Sequence, residues 1–261
     1  MIRVKDIAAT IESFAPIELQ EGYDNAGLQV GNPEMPVSGA LLCLDVTEEV
    51  MAEAKARSCN LIISHHPLFF KNIRQLTGAN PTQRIAADAI INGIAIYSAH
   101  TNLDSAWDGV SHEIANEIGL KELKVLDPRG NSAREGLGVI GDLTPTPALE
   151  FLRRLKDIFN VKSLRYTAQT SRLVVRKVAV CGGSGASLIG DAIKAGADAY
   201  VSGDLKYHDF TTHAPSIILA DIGHYESELC SRKIFSRIIR ERYPEMVVYF
   251  SEVEKNPIKY L

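Results

Sequence analysis

The order of apolar and polar positions along the chain predicts a layered α/β protein. Residues 4–14 carry apolar side chains at helical spacing, so we expect a helix there. Short apolar runs then alternate with helical patterns, at residues 40–44, 61–64 and 94–98. Short buried strands that alternate with helices are typical of a sheet with largely parallel pairing.

A second round of the same pattern begins near residue 178. A strand at 178–181, a helix at 184–195 and strands at 199–202 and 217–220 repeat the earlier order. A constant shift of 138 positions places Ala40 on Val178 and Ser64 on Ser202. We therefore predict an internal duplication, with two intertwined and structurally similar α/β layers.

Ligand-type side chains follow two strands of the first round. His65 and His66 come directly after the strand at 61–64, and His100 and Asp104 follow the strand at 94–98. The loops after the carboxyl ends of strands form the ligand crevice in open α/β sheets. Taken alone, the histidine pair is also consistent with a loop cap and a solvated ring, and Asp104 with a helix cap.

The third strand of the second round is followed by His224 and Glu228, which lie four residues apart and so share one helix face. Such a pair alone is common by chance. Together, the three strand ends supply three imidazoles and two carboxylates. His100 is a reserve ligand, or a residue that orients a ligand or binds substrate instead of metal. Five protein ligands exceed the need of one tetrahedral zinc and suit two divalent ions that activate water. Nitrogen and oxygen donors fit Zn, Fe or Mn.

Composition narrows the function classes. The chain has 261 residues and a net charge of −4, and no basic run stands out, which argues against nucleic acid as a partner. None of the four cysteines forms a CxxC pair, so we expect buried, reduced thiols and a cytoplasmic location. No apolar run has the length of a membrane span, and no signal peptide is recognisable.

Two further segments carry candidate chemistry. Backbone N–H groups at Gly183, Ser184 and Gly185 are candidates for cradling an anion, although a tight strand-to-helix turn explains the same glycines. His208 follows the strand at 199–202 and is a candidate proton carrier, with a surface or hydrogen-bonded histidine as the alternative. We expect His112 to be solvated.

Several long motifs make the chain resemble the GTP cyclohydrolase I type 2 homologues, also described as dinuclear metal-centre proteins of the NGG-interacting-factor type. The resemblance covers nearly the whole chain. Its motifs are YDNAGLQVG at 23–31, SHHPL at 64–68, HTNLD at 100–104, DAYVSGDLKYHD at 198–209 and GHYESE at 223–228.

The resemblance implies a metal pair, a ring-shaped homohexamer with its metal sites facing an internal cavity, and the opening of the GTP imidazole ring that the family name records. The implied metal ligands are His65, His66, Asp104, His224 and Glu228, with Glu228 as the bridge. Some relatives of this family carry an extra domain in the middle of the chain, for which this sequence has no room.

Three functions remain open on the sequence alone. The first is a metal-dependent hydrolase acting on a nucleotide or a related small molecule. The second is a non-catalytic metal-binding scaffold or regulatory interaction protein. The third is a nucleic-acid-associated ring, against which the acidic charge argues. We expect a metal-site domain from residues 1–125 and 225–261, and a second, interleaved domain from 126–224, with a boundary in the polar stretch at 126–134.

Overall fold

The computed structural model describes residues 1–167 and 174–261, which form two compact units. Unit 1 comprises Met1–Leu103 and Ser231–Lys255, and unit 2 comprises Asp104–Cys230 and Asn256–Leu261. Each unit contains a mixed β-sheet with helices, which confirms the α/β class. The functional domains expected at 1–125 with 225–261 and at 126–224 stay a prediction.

Strands and helices of the described residues follow one another in chain order. The strands are β1 Gly27–Val30, β2 Ala40–Cys43, β3 Leu61–Ser64, β4 Ala95–Ser98, β5 Lys121–Pro128, β6 Gly136–Pro147, β7 Arg165–Tyr166, β8 Val174–Ser184, β9 Ala199–Gly203, β10 Ile218–Asp221 and β11 Val248–Phe250. The helices are α1 Val4–Phe14, α2 Glu48–Ala56, α3 Pro81–Asn92, α4 Thr101–Ser105, α5 Val110–Ile118, α6 Ala148–Ile158, α7 Ile189–Lys194, α8 Tyr207–His213, α9 His224–Glu228 and α10 Ser231–Arg242. In this part of the chain, no helix combines the length and the apolar character that crossing a bilayer requires.

Unit 1 is organised around a sheet whose described strands lie in the order β1-β4-β3-β2-β11. Strands β11, β2, β3 and β4 pair in parallel, and β1 pairs antiparallel with β4. Every residue of β2, β3 and β4 is buried, which explains their continuous apolar sequences. Helices α2 and α3 cover one face, with Met51 and Ile85 packed on Ile62 in a single core.

Local capping fixes where these two helices begin. The Thr47 hydroxyl accepts a hydrogen bond from the Val50 amide at 3.2 Å, so α2 starts after Thr47. Asn80 caps α3 in the same way through the Gln83 amide at 3.0 Å, and Pro81 occupies the first helical position. The polar loops before α2 and α3 therefore end at Thr47 and Asn80.

Unit 2 is organised around a sheet whose described strands lie in the order β5-β6-β8-β9-β10-β7. Strands β8, β9 and β10 are parallel, whereas β5, β6 and β7 add antiparallel pairs. Strand β6 ends at Pro147, and α6 begins directly after it at Ala148. The helix expected from residue 184 begins instead at Ile189, after a short 3-10 turn, because β8 continues to Ser184 and pairs there with Gly203.

The two units repeat one strand register, which supports the predicted duplication. Ala40 pairs with Leu61 in unit 1, and the 138-residue shift maps this pair onto Val178 and Ala199, which pair in unit 2. In each unit the third parallel strand is followed after two residues by a five-residue helix, α4 in one repeat and α9 in the other. The duplicated topology thus presents equivalent loops and helices after equivalent strands.

One expectation about a histidine was wrong. His112 is buried in α5, and its ring centroid lies 4.2 Å from that of Trp107. Burial lowers the pKa of His112 because the charged imidazolium loses hydration. The sequence placed this residue at a helix start and gave no sign that the indole would cover it.

Cysteine reactivity gives a first test of the core. All four cysteines are buried as free thiols. Burial raises the pKa of Cys181 to about 12, and it raises that of Cys43 and Cys230 well above the usual value. Because the thiolate is the nucleophile, alkylation of Cys181 by iodoacetamide at pH 8 should be ~10³-fold slower in the native than in the urea-unfolded protein. Mass spectrometry of time points measures this ratio; native labelling within about tenfold of the unfolded rate would contradict it.

Candidate metal centre

A cluster of three imidazoles lies at the carboxyl edge of the unit 1 sheet. Strands β3 and β4 pair in register to Ser64 and Ser98, so the residues that follow them emerge side by side. The ring centroids of His65, His66 and His100 lie 5.2–5.4 Å apart. Each ring offers one nitrogen within 4.8 Å of the other two, a spacing that a metal ion can bridge. The cluster brings His100 together with the two predicted ligands.

All three imidazoles share one hydrogen-bonding arrangement, in which Nδ1 donates to an oxygen of unit 1. The acceptors are the Ala99 carbonyl for His65 at 2.9 Å, Asp45 Oδ1 for His66 at 2.8 Å and Asp24 Oδ1 for His100 at 2.8 Å. A carbonyl or an ionised carboxylate can only accept, so the proton resides on Nδ1 and Nε2 carries the lone pair. This arrangement orients metal-ligating histidines in proteins generally.

Asp24 is held in its ionised form. Burial by itself would raise the pKa of this carboxyl group, but hydrogen bonds from His100 and Thr101 outweigh burial and keep the pKa well below its usual range. The Thr101 amide donates to Oδ2 at 3.0 Å, and the Thr101 hydroxyl donates to the same oxygen. An ionised Asp24 fixes the His100 ring and its tautomer.

Unit 2 contributes a histidine and a carboxylate from one short helix. Gly223 has a φ of +89° and turns the chain into α9, where His224 Nε2 lies 2.9 Å from Glu228 Oε2. His224 Nδ1 lies 2.8 Å from Asp204 Oδ2, so this ring follows the same Nδ1 arrangement. The imidazole therefore sits between two carboxylates, which favours a positive charge there, whether a proton or a metal ion.

Gly183 makes room for the Glu228 carboxylate. A Cβ atom at Gly183 would lie 2.0 Å from Glu228 Oε1 and 3.5 Å from His224 Cε1. The residue also has a φ of +60°, which side-chain-bearing residues rarely adopt. Glycine at this position is thus explained by the close approach of a buried carboxylate.

The glycine-rich segment uses part of its backbone donors internally. The Gly183 amide donates to the Ser227 hydroxyl at 2.9 Å, and the Gly185 amide donates to the Ser202 hydroxyl at 3.0 Å. These bonds tie β8 to α9 and to β9. Anion or substrate binding by Gly183, Ser184 and Gly185 stays a prediction.

Asp104 lies half-buried in α4 and adds a second carboxylate to unit 2. After burial, which is the main cause, Asp104 and Glu228 both contribute to raising the pKa values of Cys181 and Cys230. Both carboxylates therefore act on the same two thiols. Such a concentration of negative charge favours a bound cation.

His208 occupies the first turn of α8, a few residues beyond β9. It is exposed, and its ring centroid lies 5.4 Å from that of Tyr207. The predicted role of His208 as a proton carrier has no test in this geometry and stays a prediction.

The role of three aspartates as histidine partners was not predicted from the sequence. Asp24, Asp45 and Asp204 each accept from a histidine Nδ1. Asp204 directly follows the end of β9, and Asp45 lies two residues beyond the end of β2, so their position after a strand was an available signal. Asp24 precedes β1, and only its place within the motif at 23–31 pointed to it.

Comparisons with known proteins relate the chain to one protein family over nearly its full length. The profile of the family described as Duf34/NIF3 (NGG1p interacting factor 3) matches residues 2–257. The chain is 35% identical to a Clostridium perfringens protein, with both sequences fully covered, and 36% identical to a Clostridium acetobutylicum protein, with 90% and 89% covered. Both relatives are named GTP cyclohydrolase 1 type 2 homolog. A 23% identical Staphylococcus epidermidis relative aligns over 367 positions and so contains residues that this chain lacks.

Solved structures share the fold. A hypothetical protein from Staphylococcus aureus superposes with a TM-score of 0.91 at 26% identity, covering 99% of both chains. A Bacillus cereus protein related to NIF3 gives 0.90 at 25% identity, covering 100% of this chain and 99% of its own. Reduced HcgD from Methanocaldococcus jannaschii gives 0.82 at 29% identity, covering 96% and 98%.

Replacing Gly183 by alanine tests whether this glycine makes the room that the Glu228 carboxylate needs. The added methyl group would collide with Glu228 Oε1, so Gly183→Ala should bind Zn²⁺ or Mn²⁺ about tenfold more weakly, or worse, in a chelator competition assay. Gly190→Ala is the matched control, because a Cβ atom there meets nothing within 4 Å. Equal metal affinity of Gly183→Ala and the control would contradict the assigned role.

Removing the charge of the Nδ1 acceptors tests their function separately. Asp45→Asn and Asp204→Asn keep a side-chain oxygen but lose the carboxylate charge, so each should lower metal affinity about 10–100-fold with little change in thermal stability. Asp157→Asn, at an exposed position of α6, is the control. Metal affinities indistinguishable from the control would show that these aspartates do not tune the imidazoles.

Proposed function

The chain belongs to the Duf34/NIF3 family, and on that premise we propose that it is a metal-dependent hydrolase with two divalent ions. The proposed ligands are His65, His66, Asp104, His224 and Glu228, with Glu228 as the bridging carboxylate. Zn, Fe or Mn suits this set of nitrogen and oxygen donors. No cysteine belongs to the candidate ligand groups among the described residues.

One observation supports the proposal: four histidines donate from Nδ1 to an oxygen of the protein, so that Nε2 is the nitrogen that can face a metal ion. In His224 this nitrogen lies 2.9 Å from Glu228 Oε2, the carboxylate with which it would share the ion. A structural histidine commonly uses either nitrogen, whereas His65, His66, His100 and His224 all present the same one. The proton on Nδ1 and the neighbouring acceptor increase the electron density at Nε2, which strengthens it as a ligand. His100 donates from Nδ1 to a carboxylate like His66 and His224, so it is a candidate for an additional or exchangeable ligand.

The residues of the chain would share the catalytic work. When bound, the two metal ions would polarise the substrate and lower the pKa of a bound water molecule. Asp45 and Asp204 would hold His66 and His224 in the ligating tautomer. Glu228, 3% exposed, offers its charge away from bulk solvent. His208 is the proposed proton carrier.

The proposed substrate is a nucleotide or a related small molecule. Relatives named GTP cyclohydrolase 1 type 2 homolog support this class, and the corresponding reaction would be hydrolytic opening of a purine imidazole ring. A non-catalytic metal-binding scaffold or interaction protein is the alternative, since the same donors would serve a closed structural site.

The resemblance also supports a ring-shaped homohexamer in the cytoplasm. Sedimentation equilibrium on the untagged protein tests the assembly, and a monomer or dimer at micromolar concentration would contradict it. Burial of all four thiols is consistent with a reducing compartment.

The proposed function predicts metal-dependent turnover. Protein loaded with Zn²⁺, Mn²⁺ or Fe²⁺ should retain two equivalents after desalting and hydrolyse at least one nucleotide in a mass-spectrometric screen that includes GTP. His66→Ala should lose metal and reduce kcat/KM about 100-fold or more, because it removes a ligand. His213→Ala, a half-buried histidine at the end of α8, is the control.

The outcome separates the two candidate functions. Retention of two ions without turnover of any nucleotide would favour the scaffold. Unchanged metal content in His66→Ala would contradict the proposed ligand set itself.

A further inference from the structure

A cavity of about 510 Å³ lies in unit 1 beside the imidazole cluster. Its walls come from residues 68–75, in the loop that follows His66, and from residues 80–83 at the start of α3. The Phe70 ring belongs to this wall, and its centroid lies 6.2 Å from that of His100. The Phe70 ring therefore connects the cavity to the imidazole cluster.

The cavity carries positive charge that nothing nearby neutralises. Lys71 and Arg74 line it, and none of its lining residues in the described part of the chain is acidic. Neither cation forms an ion pair or a hydrogen bond with a described residue. Arg84, which is close in sequence, differs in this respect because Glu48 binds it at 2.8 Å. Two uncompensated cations match the charge of a phosphate monoester, about −2 at neutral pH.

Amide groups add oriented donors to the same cavity. Gln83 Oε1 accepts hydrogen bonds from the Thr77 amide at 3.1 Å, the Thr77 hydroxyl at 3.0 Å and the Ala79 amide at 3.0 Å. These bonds fix the side chain and leave its Nε2 donors for another acceptor. Asn72 and Gln75 also line the cavity. Cations combined with neutral N–H donors are the groups that bind an oxyanion.

Phe70, which lines the cavity, is paired with a second exposed aromatic ring, Tyr23. Phe70 is 51% exposed and Tyr23 is 65% exposed, and their ring centroids lie 6.3 Å apart. Covering exposed apolar rings with a ligand is favourable, because it removes apolar surface from water. A planar group of a ligand can stack on such rings.

We infer that this cavity is the anion subsite of the protein: Lys71, Arg74 and Gln83 bind the phosphate group of a phosphorylated substrate whose planar ring lies against Phe70. The inference rests on the proposed function, because it treats the imidazole cluster as the reacting end of the substrate. It adds the residues that would bind the phosphate group of such a substrate. Phosphate binding itself does not require turnover.

The test removes both charges of the subsite. Isothermal titration of the metal-loaded protein with adenosine and guanosine monophosphates, the two nucleosides, inorganic phosphate and succinate is compared between wild type and Lys71→Gln/Arg74→Gln. The control is Arg153→Gln/Lys156→Gln, which removes two exposed charges of α6 at the same sequence spacing. We expect the Kd for the monophosphates to rise about tenfold or more in the cavity variant and to change less than about twofold in the control.

Several results would overturn the inference. One is equal affinity of the cavity variant and wild type for the monophosphates. Another is wild-type binding of the nucleosides as tight as that of their monophosphates. Binding of succinate as tight as that of inorganic phosphate would replace phosphate with carboxylate as the ligand class.

His66→Ala distinguishes failure of the subsite from failure of the proposed function. If this variant and wild type both lack turnover while Lys71→Gln/Arg74→Gln weakens monophosphate binding, the anion subsite stands and the hydrolase proposal fails. If wild type turns over a phosphorylated substrate with the same KM as the cavity variant, the hydrolase stands and the subsite fails.

Discussion

The chemistry of this protein depends on one constraint, the anchoring of imidazole Nδ1 atoms by fixed oxygen acceptors. Asp24, Asp45 and Asp204 serve three of the rings, and a backbone carbonyl serves His65. The carbonyl acceptor belongs to Ala99, directly after β4, so the sheet itself sets the orientation of that ring. Fixed rings lose little entropy on binding a ligand, and their tautomer is selected in advance. Residues from distant parts of the sequence thus fix these imidazole rings with Nε2 oriented to bind a metal ion.

Duplication of a parallel three-strand unit explains where these groups arise. In both units, side chains of chemical interest follow the second and third strands of the repeat, where the carboxyl edge of a parallel sheet collects them. The repeats have diverged in residue type: the position of His66 in the first corresponds to Asp204 in the second. The His66 position supplies a candidate ligand ring, whereas its counterpart supplies the carboxylate that fixes His224.

The parallel strands of the two repeats and the first helix could be predicted because apolar runs at strand or helix spacing are local signals. Residues 4–14 and the strand at 61–64 were predicted with the observed bounds. The extension of β8 to Ser184 could not be, since pairing with β9 overrides the usual effect of glycines on a strand. Burial of His112 under Trp107 is likewise a tertiary effect.

The candidate site shows the same limit. Residue type and position after a strand suggested the ligand-type histidines. The Nδ1 partners depend on distances between loops, which no sequence pattern records. The role of Gly183 is likewise visible only in the structure, where a Cβ atom at this position would lie 2.0 Å from Glu228 Oε1. The charged cavity at residues 68–83 was not predicted either, because the sequence does not show that Lys71 and Arg74 line a common cavity.

Long-range ¹H–¹⁵N correlation spectra of the histidine rings, recorded before and after addition of Zn²⁺, test whether the rings bind metal through Nε2. Protons are expected on Nδ1 of His65, His66 and His224 in the zinc-loaded protein, with the large zinc-induced ¹⁵N shifts confined to Nε2. Zinc-induced shifts at Nδ1, or spectra that zinc leaves unchanged, would contradict this expectation.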